Sequence, residues 1–208
     1  MSARPLIDVS GLPKHRFDTH APIWWGNLWL LAIETTMFVI ALAAYLYTQQ
    51  NFQVWPPPNT STVYGLDPVP GLTPGTINII LLVLSCVPMI LTDLAARRGD
   101  RGAVKLWLTV CVALGVVMMI LRWFEYGAVK FTWDSNAYGS SVWMLLVLHT
   151  LHLLTSWGEA VLLSSWVWTQ PLDMHRRVDI TALAVYWYWV AGIWIPFYLL
   201  LYFAPRVI

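Results

Sequence analysis

Four polar side chains interrupt an otherwise apolar stretch of the sequence, which reads MLLVLHTLHLLTSWGEAVLL. They are His149, His152, Ser156 and Glu159. Because successive residues of an α-helix turn by about 100°, these four positions share a stripe roughly 80° wide. Ionisable groups are costly in hydrocarbon, and where they occur they mark proton relays, cofactor sites or hydrogen bonds between helices. The spacing favours hydrogen bonds that fix helix packing, with a proton relay or a cofactor site as the alternative.

A further acidic residue lies inside the first apolar stretch, WLLAIETTMFVIALAAYLYT. Glu34 follows Trp24 by ten residues, a depth of roughly 15 Å at about 1.5 Å per residue, which is near the middle of a membrane. A glutamate at that depth is expected to be protonated or paired. We therefore predict that Glu34 forms a hydrogen bond inside the bundle, towards the stripe of His149 and His152.

The remaining ionisable residues give no sign of a catalytic or metal centre. In LRWFEYGAVKF, Arg122 and Glu125 are three residues apart on a predicted helix and are expected to form a structural pair. The other histidines, His15, His20 and His175, fall in predicted loops or near membrane edges, so a haem site with two axial histidines facing each other across the bundle is a poor fit. Neither a zinc-binding pattern nor a repeated Glu-x-x-His motif occurs. The sequence predicts no catalytic residue and no bound metal in this chain.

Composition places these residues in a membrane protein. The chain is 58% hydrophobic and only 11% charged, whereas soluble domains average about 25% charged residues. A net charge of +1 argues against a nucleic-acid-binding protein. Five stretches are long and apolar enough to span a membrane as helices. The prediction is an all-α membrane protein, with an N-terminal segment 1–23 and a five-helix membrane domain 24–204, whose spans are about 24–48, 76–95, 103–124, 140–168 and 181–203.

The distribution of Lys and Arg predicts the orientation of these spans. Nine of the twelve lie on the side of the N-terminus, and only Arg122, Lys130 and Arg206 lie towards the other side. The positive-inside rule then predicts a cytoplasmic N-terminus and a periplasmic C-terminus. Near the ends of the predicted helices, Arg101, Lys105 and Trp107 are candidates for binding the phosphate of lipid head groups.

These motifs, in this order, resemble five consecutive helices of subunit III of the haem–copper oxidases. IETTMFVIALAAYLYTQ resembles the glutamate-bearing helix of that family, and PGTINIILLVLSC resembles the next, with its asparagine at Asn78. LRWFEYGAVKF, NAYGSSVWMLLVLHTLHLL and VYWYWVAGIWIPFYLLLYF resemble the following three. The sequence departs from the family pattern at Tyr188, where a histidine is usual, at Ala191, where an acid is usual, and at Ser156, where a glycine is usual.

The resemblance implies a subunit with no haem or copper of its own. Such a subunit packs against oxidase subunit I in a complex with subunit II, binds phospholipid in a cleft and supports proton uptake by subunit I. Haem and copper are then expected in the partner subunits, which take electrons from cytochrome c or quinol, reduce oxygen to water and translocate protons. The resemblance implies a short bacterial form, a multi-pass protein of the plasma (inner) membrane. Family members with seven helices have two more than this chain, so lipid or a further small subunit is expected in their place.

Two alternatives remain open at this point. An accessory subunit of a nitric oxide reductase would come from the same family but serve a different complex. An independent small membrane transporter would belong to another class, and such proteins often contain inverted repeats; we find no repeat in this sequence.

Overall fold

Five long helices account for most of the chain in the computed structural model, which describes residues 22–57 and 69–207. Each of the five is long and apolar enough to cross a membrane, and no strand occurs among the described residues. The chain is therefore an all-helical, multi-pass membrane protein, as the sequence predicts. The helices are α1 (Pro22–Gln50), α2 (Leu72–Arg98), α3 (Arg101–Ala128), α4 (Ala137–Thr169) and α5 (Met174–Tyr198), followed by a π-helical turn (Leu199–Phe203) and the short α6 (Ala204–Val207).

The first four predicted spans each lie inside one of these helices, and the fifth covers the later part of α5 and the π-helical turn. The predicted N-terminal segment lies outside the described residues except for its last two positions, which already belong to α1. Consecutive helices run in opposite directions across the bundle. The start of α1 therefore lies at the same end as the α2–α3 and α4–α5 turns, which we call the N-terminal side; the opposite end is the C-terminal side.

Polar residues define where three of the helices begin. Asp100, Asn136 and Asp173 precede α3, α4 and α5, and each side chain accepts a hydrogen bond from the backbone N–H three residues later, at 2.9–3.1 Å. Such caps satisfy N–H groups that the helix itself leaves without partners. Helix α2 ends at Gly99, whose φ of 75° is in the left-handed region that favours glycine. These residues fix the short turns that join α2 to α3 and α4 to α5.

Helices α2 to α5 pack side by side in a ring, in which α2 contacts α3 and α5, and α4 contacts α3 and α5. Helix α1 lies outside this ring, against α4 and α5. Its buried side chains include Leu31, Phe38 and Tyr45, which are spaced seven residues apart and so form one narrow seam. Most of the other α1 side chains are exposed, including Trp29 at 67% and Ile40 at 64%. Helix α1 therefore has a large apolar face that needs lipid or another chain beside it.

One close approach between α3 and α4 depends on a glycine. The indole of Trp157 lies over Gly115 and donates a hydrogen bond from Nε1 to Val112 O at 3.0 Å. A Cβ on residue 115 would lie 2.1 Å from Trp157 Cδ1, so the indole would have to move. The α3–α4 contact at this level therefore requires a residue without a side chain.

Gly115→Ala is expected to destabilise the chain by about 1–3 kcal/mol, because it overpacks this contact and breaks the indole hydrogen bond. Gly158→Ala is the matched control, since a Cβ there would meet no atom within 4 Å. We expect the control to be neutral or slightly stabilising, because alanine favours helix. The measurement is the thermal unfolding midpoint of each variant in detergent. Equal midpoints for the two variants would contradict this description of the contact.

Candidate functional site

The two histidines of the α4 stripe belong to two separate groups of polar side chains instead of the single cluster that the stripe predicts. His149 lies between α3 and α5, whereas His152, one turn further along α4, faces α1. The structure brings Glu34 to His152 of the predicted stripe and not to His149. The first group, which we call the Arg122 cluster, comprises Asn78, Arg122, Glu125, His149, Trp194 and Tyr202.

A fully buried ion pair lies at the centre of the Arg122 cluster. Arg122 Nη1 donates to Glu125 Oε2 at 2.8 Å, and the two side chains are 2% and 0% exposed. The structure thus brings these two predicted residues together. The carboxylate of Glu125 also accepts hydrogen bonds from Asn78 Nδ2, at 3.0 Å, and from the hydroxyl of Tyr202. Three donors on three elements thus surround one buried carboxylate, which is the arrangement that makes a buried charge tolerable.

The hydrogen bonds of His149 fix its tautomer. Arg122 Nη2 lies 2.8 Å from His149 Nδ1. A guanidinium has only donors, so Nδ1 must accept. His149 Nε2 lies 3.1 Å from Val190 O, which can only accept, so Nε2 must carry the proton. His149 is therefore a neutral imidazole with both nitrogens occupied, and it has no free nitrogen to bind a metal or take up a proton.

An indole ring completes the Arg122 cluster. The ring of Trp194 stacks on His149, with centroids 4.2 Å apart and planes 14° apart, and it lies 4.8 Å from the guanidinium carbon of Arg122. Sequence analysis did not single out Trp194 or Tyr202. The position of Tyr202 depends on the π-helical turn after α5. The Tyr202 ring packs closely on Gly75, because a Cβ on that residue would lie 2.7 Å from Tyr202 Cζ. A π-helical turn has no reliable sequence signature, so only the glycine could have pointed to this contact.

The second group is the pair of Glu34 on α1 and His152 on α4. Glu34 Oε2 lies 2.8 Å from His152 Nε2. His152 Nδ1 lies 2.7 Å from Leu148 O, a carbonyl that can only accept, so Nδ1 carries a proton. The contact between Nε2 and the carboxyl oxygen therefore needs one proton of its own. The pair is either a carboxylic acid with a neutral imidazole or a carboxylate with an imidazolium, and its net charge is zero in both forms.

A groove between α1, α4 and α5 opens onto this pair. Its volume is about 490 Å³, and its polar lining includes Glu34, His152, Glu159, Tyr186 and Asn27. Glu159 is half-buried and has no hydrogen-bond partner among the residues that the structure describes. Ser156, the fourth member of the predicted stripe, is fully buried and does not line the groove. The groove therefore brings three of the predicted residues together: Glu34, His152 and Glu159.

The three candidates for binding lipid head groups do not share one site. Arg101 donates from Nε and Nη2 to Val167 O, at 3.1 and 3.0 Å, and so caps the end of α4. Lys105 Nζ lies 4.7 Å from the centroid of the Trp168 ring. Trp107 is two residues beyond Lys105 and therefore about 160° away around α3. Arg101 and Lys105 lie together at the N-terminal side of the bundle, and Trp107 faces another direction.

The arrangement as a whole is suited to fixing helices and holding a proton. Within residues 22–57 and 69–207, no three His, Cys, Asp or Glu side chains converge as metal ligands. Cys86 and Cys111 are free thiols. The Arg122 cluster ties together α2, α3, α4 and the residues after α5, and the Glu34–His152 pair ties α1 to α4.

Comparison with known proteins gives a consistent result. The family model for cytochrome c oxidase subunit III matches residues 9–205. The chain is 26% identical over 181 residues to the cytochrome c oxidase subunit 3 of Synechocystis sp., covering 86% of this chain and 74% of that protein. It is 25% identical over 185 residues to the same subunit of Thermostichus vulcanus, covering 87% of each. With that of Loxodonta africana the identity is 29% over 187 residues, covering 86% of this chain and 68% of the relative.

Proposed function

The chain belongs to the cytochrome c oxidase subunit III family, and from this premise we propose that it is the non-catalytic third subunit of a bacterial respiratory oxidase. In this proposal, the haem and copper that reduce oxygen to water lie in subunits I and II, and this chain stabilises subunit I and supports its proton uptake. The observation that carries the proposal is the family match over residues 9–205, which includes all five long helices.

The hydrogen bonding of the buried ionisable residues supports a structural part in that complex. Both nitrogens of His149 are occupied, and Arg122 and Glu125 are paired with each other. These hydrogen bonds hold α3, α4 and α5 in place relative to one another. They would give subunit I a rigid neighbour during turnover.

The exposed face of α1 supports a place for lipid or for a further subunit. We propose that phospholipid acyl chains, or helices of another chain, cover the side that includes Trp29, Ile33 and Ile40. At the N-terminal side, Lys105 and Arg101 would face head-group phosphates. With the excess of Lys and Arg at that side, we propose that it faces the cytoplasm across the plasma membrane.

A metal analysis of the dissociated complex tests the non-catalytic part of this proposal. The complex would be purified through a tag on this chain, and the chain would then be separated in mild detergent. We expect iron and copper to remain with the other subunits and the separated chain to contain neither in stoichiometric amount. Stoichiometric iron or copper in the separated chain would overturn the proposal that it has no redox centre.

A further inference from the structure

Helix α1 is attached to the rest of the bundle by a narrow apolar seam and a few polar contacts, one of which depends on a proton. We propose that Glu34 and His152 form a one-proton latch, which is reached from the groove between α1, α4 and α5 and which holds α1 on α4. The inference goes beyond the proposed function, because it rests on the hydrogen bonds of this chain and applies in any complex that contains it.

The proton count follows from the contact of His152 with Leu148. Because Leu148 O accepts from Nδ1, the other ring nitrogen faces Glu34 with a lone pair unless the ring is an imidazolium. One proton between Nε2 and Oε2 gives a hydrogen bond wherever that proton resides. If the proton is lost, two acceptors face each other at 2.8 Å and the contact becomes repulsive.

Addition of a second proton has a different outcome. An imidazolium can still donate from Nε2 to an oxygen of a neutral carboxylic acid, so the hydrogen bond persists. The latch is therefore asymmetric with respect to protons: a second proton leaves it closed, and loss of the single proton opens it.

The surroundings of the pair contain no cation that could replace this proton. On α4 and α5, Glu159 and Tyr186 line the same groove, and no Lys or Arg does so among the described residues. Asp179 of α5 is the next acid towards the N-terminal side, and it is paired with Arg176 at 2.8 Å.

On the other side of His152 along α4, His149 is neutral and occupied by Arg122. A deprotonated Glu34 would thus face a neutral ring and a second acid, which is why the latch needs its proton.

Opening of the latch should loosen α1 without releasing it. Trp189 Nε1 still donates to Thr35 Oγ1 at 2.8 Å, and Asn27 Nδ2 still donates to Ala182 O at 3.4 Å. The apolar seam of Leu31, Phe38 and Tyr45 is also unaffected. The expected change is therefore a local opening of α1, of the kind that amide hydrogen exchange detects.

Hydrogen exchange of α1 in the intact purified complex tests the latch, by comparing wild type with Glu34→Gln at the same pH. The amide of Gln can donate to Nε2 at any pH, so this variant keeps the latch closed. At about pH 7 we expect α1 peptides of the two proteins to exchange at rates within about twofold of each other. At about pH 10 we expect wild-type α1 to exchange about tenfold faster than the variant.

Two controls make the result decisive. At each pH, peptides from α2 and α3 should exchange at the same rate in wild type and in Glu34→Gln. His152→Gln is a second variant, since its amide can donate to a carboxylate of Glu34. The ratio of its α1 exchange rate to that of Glu34→Gln should be the same at both pH values. If the ratio of wild type to Glu34→Gln is the same at both pH values, or if α1 in both Gln variants opens at alkaline pH as in wild type, the latch is refuted. If Glu34→Gln does not assemble, the comparison with His152→Gln decides in the same way.

Discussion

Arg122→Met is expected to be the most damaging single substitution in the chain, with a loss of about 3–5 kcal/mol in stability. The substitution removes the only positive charge in contact with the buried carboxylate of Glu125 among the described residues, and it also leaves His149 Nδ1 without its donor. The measurement is the thermal unfolding midpoint of the purified complex, together with the amount of this chain that the complex retains.

Two matched variants show whether the buried charge is the cause. Arg97 pairs with Asp93 at 2.9 Å, but its side chain is 48% exposed, so Arg97→Met should cost no more than about 1 kcal/mol. In the double variant Arg122→Met with Glu125→Gln, no charge is left unpaired, and we expect a large part of the lost stability to return. Equal losses for Arg122→Met and Arg97→Met, or no recovery in the double variant, would contradict the role given to the Arg122 cluster.

Removal of the whole chain is expected to leave an oxidase that still reduces oxygen but takes up protons more slowly or inactivates faster during turnover. The reason is that this subunit is proposed to support subunit I from outside the redox centres. The measurement is oxygen consumption over many turnovers by the complex purified from a deletion strain, with its haem content determined in parallel.

Restoring the chain provides the control for that experiment. Re-expression should return both the initial rate and the turnover lifetime, whereas the Arg122→Met variant should return them only in part. Complete loss of oxygen reduction in a remainder that is correctly assembled and fully loaded with haem would count against a supporting role.

The number of helices and the pairing of some buried residues could be predicted from the sequence, because each depends on one local pattern. Long apolar stretches have few alternatives to helices in a membrane. The structure accordingly has a long apolar helix at each of the five predicted spans. Arg122 and Glu125 are neighbours on one helix, so their pairing follows from helix geometry. The depth of Glu34 in the first span and the polar stripe on α4 together indicated a contact between these helices, and Glu34 contacts His152.

The sequence could not predict that His149 and His152 belong to separate groups, because that depends on which helix lies beside each turn of α4. His149 and His152 are about 60° apart around α4, and that angle is enough for one to face α3 and α5 and the other α1. The position of Tyr202 depends on an extra residue in a π-helical turn. The hydrogen bonds of Arg101 to Val167 O depend on where the end of α4 lies, so the sequence did not indicate them.

The gas consumed by the complex that purifies with this chain tests the central claim most directly. The complex would be isolated from the membrane through a tag on this chain, its reduced-minus-oxidised difference spectrum recorded, and its consumption of oxygen and of nitric oxide measured side by side. The account predicts haem absorbance from the partner subunits, bound copper, and rapid consumption of oxygen with little consumption of nitric oxide. A complex that consumes nitric oxide in preference to oxygen, or a chain that purifies alone with no haem-containing partner, would contradict it.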